Sequence, residues 1–181
     1  MLYKFRIVSD EVENFKLEIL IDSDDTFMRL RNAILDAVGY DRNQLDSFFI
    51  CEDDWTKRTE VTQMEMDDDS DDDVWLMEDT LLSELIEDEG QKLTFMFDYV
   101  TGRQFYMEMK EIITNKILHD PLCQRKEGKA PAQVIDIEAY DAKIDSVSSD
   151  LGDLGEDFYG DQSYDDDELS SLEGIEGVDE Q

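Results

Sequence analysis

The residues with the clearest chemical pattern form an acidic run in the middle of the chain. Seven of the nine residues at 65–73 are Asp or Glu, and carboxylate oxygens are the ligands that Ca²⁺ prefers. Five acids occupy ligand positions 1, 3, 5, 7 and 12 of a calcium-binding loop: Asp67, Asp69, Asp71, Asp73 and Glu78. Position 6 normally carries the Gly that allows a sharp turn, but here it is Asp72. We therefore expect a solvated acidic loop, with weak divalent-cation binding as the alternative.

Other residues that could support catalysis or cofactor binding are few. His119 is the only histidine, and Cys51 and Cys123 have no neighbouring Cys or His, so the sequence offers no zinc-type ligand set. The nine glycines form neither a GxGxxG nor a Walker A pattern, which argues against a phosphate-binding loop. The sequence therefore predicts a protein that is not an enzyme and that has no cofactor.

The charge of the chain limits its possible partners. Its 181 residues include 49 acidic and 16 basic side chains, which give a net charge of −33. This excess opposes direct binding to nucleic acid, where Lys and Arg must neutralise phosphates, and to anionic membrane surfaces. No secretory signal is visible, and no apolar stretch approaches the ~20 residues that a transmembrane helix requires. We expect a cytoplasmic protein.

The function that these observations favour is that of a non-enzymatic acidic protein-interaction module that binds a basic partner. A nucleic-acid mimic that blocks a DNA-binding protein is one alternative, because dense carboxylates can resemble a row of phosphates. A weak divalent-cation-binding domain is the other alternative. The sequence does not predict the oligomeric state.

The distribution of charge predicts two parts of the chain. Residues 141–181 contain 15 acids and one base, together with Ser and Gly, and their few apolar residues show no sustained period. Such a segment cannot bury enough apolar surface to offset the entropy lost on ordering. We therefore expect a folded domain at residues 1–140 and a disordered acidic tail at residues 141–181.

The first half of the predicted domain shows two strands and a helix. Residues 2–8 have a strand-like composition, and apolar residues alternate with mostly polar ones along residues 15–21. Asp25 or Thr26 can cap a helix that ends at Gly39. The apolar face predicted for this helix consists of Phe27, Leu30, Ile34, Ala37 and Val38.

The second half is expected to add a strand at 48–51, a short helix around residues 81–86, and a hairpin of strands 93–99 and 104–112. Residues 52–80 are expected to be largely loop, as are residues 113–133, and one last short strand is predicted at 134–137. The order of these elements predicts an α+β fold, in which a mainly antiparallel sheet packs against two helices.

The predicted helix and its flanks carry a family resemblance. The family pattern has an apolar strand, a helix that opens with a D-T-T-L-x-x-L-H-like motif and ends with A-F-G-W, and then an H-x-F strand. The matching residues here are Asp25, Thr26, Phe27, Leu30, Ala37, Val38, Gly39, Tyr40 and Phe48. Over residues 1–140 the chain resembles the plasmid pRiA4b ORF-3-like family. The resemblance implies the fold, but it implies no biochemical activity.

The sequence departs from the family pattern at three places. The family hairpin usually reads Y-D-F-G-D-G-W, whereas this chain keeps Asp98 and Gly102 and has Arg103 in place of the tryptophan. The early W-R-R motif is replaced by residues 14–16, and the Cys- and Pro-rich segment is reduced to residues 121–123. If those family residues form a site in relatives, we expect that site to be lost here.

The acidic run leads to a prediction about calcium. Without a Gly at position 6, calcium affinity should be no better than the ~10⁻⁴–10⁻³ M of weak calcium modules. Calorimetric titration of the chelator-treated protein tests this, with an Asp67→Asn/Asp69→Asn/Asp71→Asn variant as control. Micromolar binding that the three changes abolish would contradict the prediction.

Overall fold

The computed structural model describes residues 1–65 and 75–136, and Met1–Val134 form one compact unit. Of the chain beyond this unit, only Ile135 and Asp136 are described. The elements are β1 (Leu2–Ser9), β2 (Lys16–Asp22), α1 (Phe27–Val38), β3 (Ser47–Cys51), β4 (Lys57–Thr62), β5 (Trp75–Leu76), α2 (Leu82–Leu85), β6 (Lys92–Asp98), β7 (Arg103–Ile113) and β8 (Leu122–Glu127).

The strands form one eight-stranded sheet in the order β5-β4-β3-β6-β7-β1-β2-β8. Each neighbouring pair is antiparallel except β4 and β5, which are parallel. The prediction of a mainly antiparallel sheet with two helices is therefore confirmed, although the sheet takes a larger share of the chain than expected. The predicted tail and its boundary at residue 140 lie outside the described residues.

Most of the individual elements are also confirmed. The predicted strands at 2–8, 15–21, 48–51, 93–99 and 104–112 correspond to β1, β2, β3, β6 and β7, and both predicted helices are present. The prediction of loops at residues 52–80 and 113–133 is wrong in part, because these regions contain β4, β5 and β8. β8 has no alternating apolar pattern because its residues are almost all exposed. The strand predicted at 134–137 is absent from residues 134–136, the part of it that the structure describes.

The core lies on the face of the sheet that α1 covers. Alternate residues of each strand point to that face, where the fully buried aromatic side chains include Phe5, Phe15, Phe48, Phe95 and Phe105. Several of these rings contact one another directly, as in the pair Phe48–Phe95, whose centroids lie 4.7 Å apart. Phe27 of α1 contacts Phe48 at 5.5 Å, so aromatic contacts join the helix to the centre of the sheet.

Local signals fix both ends of α1. The side chain of Thr26 accepts a hydrogen bond from the backbone N–H of Arg29. At the other end, Gly39 adopts φ +77°, and its N–H donates to the carbonyl of Leu35 at 2.8 Å. Phe27, Leu30 and Ile34 are fully buried, as predicted. Ala37 and Val38 are only partly buried, however, and the buried face also includes Leu35 and Arg31.

No helix covers the opposite face of the sheet among the described residues, and charged side chains line it. One row of directly paired residues crosses five strands with alternating sign: Lys92, Glu108, Arg6, Glu18 and Arg125. Opposite charges on neighbouring strands stabilise a sheet by roughly 0.2–1 kcal/mol for each pair. This alternation explains how a wide sheet can keep one face in water.

A buried ion pair holds α1 to the loop that follows it. Nε of Arg31 donates to both carboxylate oxygens of Asp46, at 2.7 and 2.8 Å, and the two side chains are only 5% and 1% exposed. The same guanidinium donates to the carbonyl of Arg42 at 2.7 Å, and Gln63 donates to Asp46 at 2.7 Å. Burial nevertheless raises the pKa of Asp46, against the lowering effect of Arg31 and Gln63.

This ion pair predicts a large loss of stability when one partner is removed. Arg31→Met should lower the free energy of unfolding by about 3–5 kcal/mol, because it leaves the carboxylate of Asp46 buried without its counter-charge. Urea denaturation measures the change. The control is Arg42→Met, since Arg42 pairs with Asp36 at the surface and that pair should be worth less than about 1 kcal/mol. Equal effects of the two substitutions would contradict this prediction.

Candidate functional site

The loop before α1 and the segment before α2 are joined into one edge of the domain. Backbone hydrogen bonds connect Ser83 to Ser23 at 3.0 Å, Leu82 to Asp25 at 2.9 Å, and Phe27 to the carbonyl of Thr80 at 3.1 Å. These bonds bring together two acidic segments that are more than fifty residues apart in the sequence. A third segment approaches the same edge, because Arg29 donates to the carbonyl of His119 at 2.7 Å.

The carboxylates on these three segments form a cluster around the start of α1. We define the acidic edge as Asp22, Asp24, Asp25, Glu78, Asp79, Glu84, Glu87 and Asp120. Six of these residues are exposed, whereas Asp22 and Asp25 are largely buried. The side chain of Glu84 also accepts a hydrogen bond from the backbone N–H of Leu81 at 2.7 Å, which caps α2.

Two cations of the described residues form salt bridges at this edge. The guanidinium of Arg29 lies 3.2 Å from the carboxylate of Asp25 and 3.1 Å from that of Asp120, and the N-terminal ammonium lies 3.8 Å from the carboxylate of Asp22. The positive end of the α1 dipole also lies here and favours nearby carboxylates, by roughly 0.3–1 kcal/mol each near a surface. These two features stabilise the acids closest to the helix, but they do not neutralise the whole edge.

The protonation of two groups reflects this concentration of charge. Burial raises the pKa of Asp25, and the neighbouring carboxylates of Asp22 and Asp120 raise it further, against the lowering effect of Arg29. One carboxylate oxygen of Asp25 is buried without a hydrogen-bond partner. Burial also raises the pKa of Tyr3, as do the charges of Asp24 and Glu87. Acids from two of the three segments therefore act on Asp25.

The residues predicted to bind a divalent cation fall partly outside the structure. Asp67, Asp69, Asp71 and Asp73 lie outside the described residues. Glu78 is exposed in the turn that follows β5 and belongs to the acidic edge. Within residues 1–65 and 75–136, no group of three or more His, Cys, Asp or Glu side chains has the arrangement of a metal site.

The remaining candidate side chains do not converge on one place. His119 is exposed and meets Arg29 only through its backbone carbonyl. Cys51 is buried and Cys123 is exposed, and both are free thiols. Burial raises the pKa of the Cys51 thiol, with Thr94 and Lys57 acting in the opposite direction. No nucleophile and base pair emerges from these residues.

Comparison with known proteins identifies the family of the chain. The family model for plasmid pRiA4b ORF-3-like proteins matches residues 3–169, which extends beyond residue 140. The chain belongs to this family. Among solved structures, it is similar to a protein of unknown function, MM3350 from Methanosarcina mazei Go1. The two are 15% identical over 69% of this chain and 68% of the other, with a TM-score of 0.56, so the likeness shows the fold alone.

No curated protein matches this pRiA4b ORF-3-like protein. In the part of the chain that the structure describes, no helix combines the length and the apolar character needed to cross a membrane. Neither comparison assigns an activity, because the solved relative is itself described as a protein of unknown function. The function has to be argued from the surfaces of the domain.

Arg103, which replaces the tryptophan of the family hairpin, has a structural role here. Its guanidinium pairs with Glu11 at 2.8 Å, lies 5.0 Å from the ring centroid of Phe97, and donates to the carbonyl of Ala132 at 2.7 Å. Together with Tyr40, which donates to the carbonyl of Pro131, it holds the segment at residues 129–133 against the domain. A cleft of about 560 Å³ remains beside this segment.

The raised pKa of Asp25 predicts how stability depends on pH. Because the folded state holds the Asp25 proton more tightly than the unfolded state does, ionisation of Asp25 costs stability above the folded pKa. Asp25→Asn should therefore stabilise the protein at neutral pH, by about 0.5 kcal/mol, the size of a like-charge contact on a helix. This gain should fade as the pH falls below the unfolded pKa of about 3.9. Thermal denaturation at several pH values measures both effects, and a loss of stability at neutral pH would contradict them.

Proposed function

We propose that this pRiA4b ORF-3-like protein is a non-enzymatic protein-interaction module whose acidic edge binds a basic partner. The observation that carries the proposal is the imbalance of charge at the start of α1. Eight carboxylates on three segments lie at this edge. Among the described residues, the cations that form salt bridges with them are Arg29 and the N-terminal ammonium.

The uncovered face of the sheet provides the comparison. The charges of the row through Arg6 alternate in sign, and in the next row Lys4 pairs with Glu111, so that these charges compensate one another locally. The acidic edge has no such alternation, and six of its carboxylates face solvent. A partner with Lys or Arg side chains would gain most by approaching the domain at this edge.

Electrostatic attraction of this kind acts mainly on the rate and the specificity of association. A concentrated field attracts an oppositely charged partner from solution, and its reach is limited to about 8–10 Å at physiological ionic strength. Binding at the acidic edge should therefore weaken as salt is added. The overall charge of −33 would also attract cations without any site, so a test has to separate the edge from the total charge.

A pair of charge-matched variants makes this separation. Asp24→Asn/Glu78→Gln/Asp79→Asn removes three charges from the acidic edge, and all three side chains are exposed. Asp10→Asn/Glu13→Gln/Asp53→Asn removes the same number of charges from exposed positions elsewhere. Both variants have the same net charge, so any difference in affinity between them depends on where the removed charges lie.

The edge variant should bind a short peptide of alternating lysine and serine about tenfold more weakly than the natural protein at low salt. This estimate takes about 0.5 kcal/mol for each of three exposed ion pairs. The control variant should change the affinity by less than about twofold. Fluorescence anisotropy of a labelled peptide measures the affinities.

Equal weakening by the two variants would contradict the proposal, because it would show attraction to the total charge. The same assay can be repeated with a DNA-binding protein as the basic ligand. If duplex DNA then competes with the acidic edge for the DNA-binding surface, the result would favour a nucleic-acid mimic over a general protein-binding module.

A further inference from the structure

β8 is an open edge of the sheet. It pairs with β2 on one side, and no backbone hydrogen bond joins its other side to the described residues. Five of its six residues are exposed and the sixth is half-buried. At the opposite edge of the sheet, β5 is only two residues long. Within the described residues, β8 therefore offers a strand edge of six residues, long enough to pair with an added strand.

The charged side chains at this edge are mostly basic, whereas those of the whole chain are mostly acidic. Residues 122–129 contain three bases and one acid, a net charge of 3 − 1 = +2, within a chain whose net charge is −33. Arg125 pairs with Glu127, and Lys126 donates to the carbonyl of Ala37 at 2.6 Å. Lys129 is exposed and makes no ion pair within the described residues.

The position of β8 is fixed by the fold. Gly128, which follows the strand, has φ +69°, and a Cβ atom at this residue would lie 2.4 Å from the backbone oxygen of Asn14. A larger residue could not occupy the site without moving one of the two segments. β8 pairs with β2 along its length, with one shift of register between Glu18 and Ile19, so that an incoming strand would not have to order it first.

Charge determines which strand this edge can accept. A second copy of the chain would bring a further net charge of −33 towards this one, whereas a short acidic segment brings only its own few charges. An extended segment rich in Asp or Glu would instead place opposite charges beside Arg125 and Lys129. Main-chain hydrogen bonds would supply the affinity in such a complex, and the charges would supply the specificity.

We propose that the β8 edge binds an extended acidic segment of a partner protein by strand addition. The site shares no residue with the acidic edge, although Asp120 of that edge lies two residues before β8, and the inference does not depend on the proposed function. The two sites also differ in the charge of the ligand they select, because the acidic edge selects basic ligands whereas the β8 edge selects acidic ones. Each can therefore fail while the other holds.

Three acidic peptides test the proposal on the full chain. The probe is a peptide of alternating glutamate and valine, and its two derivatives carry N-methyl groups on alternate residues, one on the odd positions and the other on the even positions. In an added strand, only alternate residues direct their N–H groups towards β8, so the hydrogen bonds come from the odd positions alone or from the even positions alone. Calorimetry should therefore show binding of the parent peptide and of one derivative, with loss of binding for the other.

Two protein variants test the role of charge. Arg125→Glu/Lys129→Glu should weaken binding of the parent peptide at least about tenfold, whereas the charge-matched Arg58→Glu/Lys116→Glu should change it less than about twofold. Lys126 is kept in both variants because it contacts α1. Hydrogen exchange should also show slower exchange in residues 122–127 when the peptide is bound.

Several results would overturn the proposal. Equal binding of both N-methylated peptides would show charge attraction without strand addition, and equal weakening by the two variants would place the peptide elsewhere. If the protein dimerises in light scattering and Arg125→Glu/Lys129→Glu alters the dimer, the occupant is a second copy. Full protection of residues 122–127 in the free monomer would show that the edge is already occupied within the chain.

Discussion

The sheet of this protein can bury only one of its faces, because α1 is the one long helix that the described residues place against it. Side chains alternate across each strand, so the aromatic core and the charged opposite face come from the same segments of sequence. Packing on the buried face fixes the register of the strands, since a shift by one residue would exchange the two faces. The charged row through Arg6 follows from this one-sided burial.

The ends of α1 determine where charge can collect. At its start, Thr26 caps the helix and the helix dipole favours carboxylates, which allows acids from three segments to approach one another. The cost of this arrangement appears at Asp25, whose pKa is raised by burial and by its neighbours. At the other end, Lys126 from β8 donates to a carbonyl of the last turn. The helix thus separates an acidic surface from a basic one, and we propose that these surfaces bind partners of opposite charge.

The sequence predicted those parts of the fold that have local signals. The alternation along residues 15–21 predicted β2, and Thr26 and Gly39 predicted the limits of α1. β8 was missed because an exposed edge strand needs no apolar period, and the burial of Arg31 was missed because its partner, Asp46, is fixed only by tertiary structure. The acidic edge has no local signature, since it joins residues 22–25, 78–87 and 120. Of the predicted cation ligands only Glu78 lies within the described residues, and it stands at this edge.

The place where a basic ligand binds the domain can be observed directly. The backbone amide signals of the isotope-labelled protein can be followed by nuclear magnetic resonance while the peptide of alternating lysine and serine is added. If the acidic edge is the binding site, the largest shifts fall on it, around Asp24 and Asp79, and they diminish as salt is added. Shifts that leave these residues unchanged and fall on the uncovered face of the sheet would contradict the proposal.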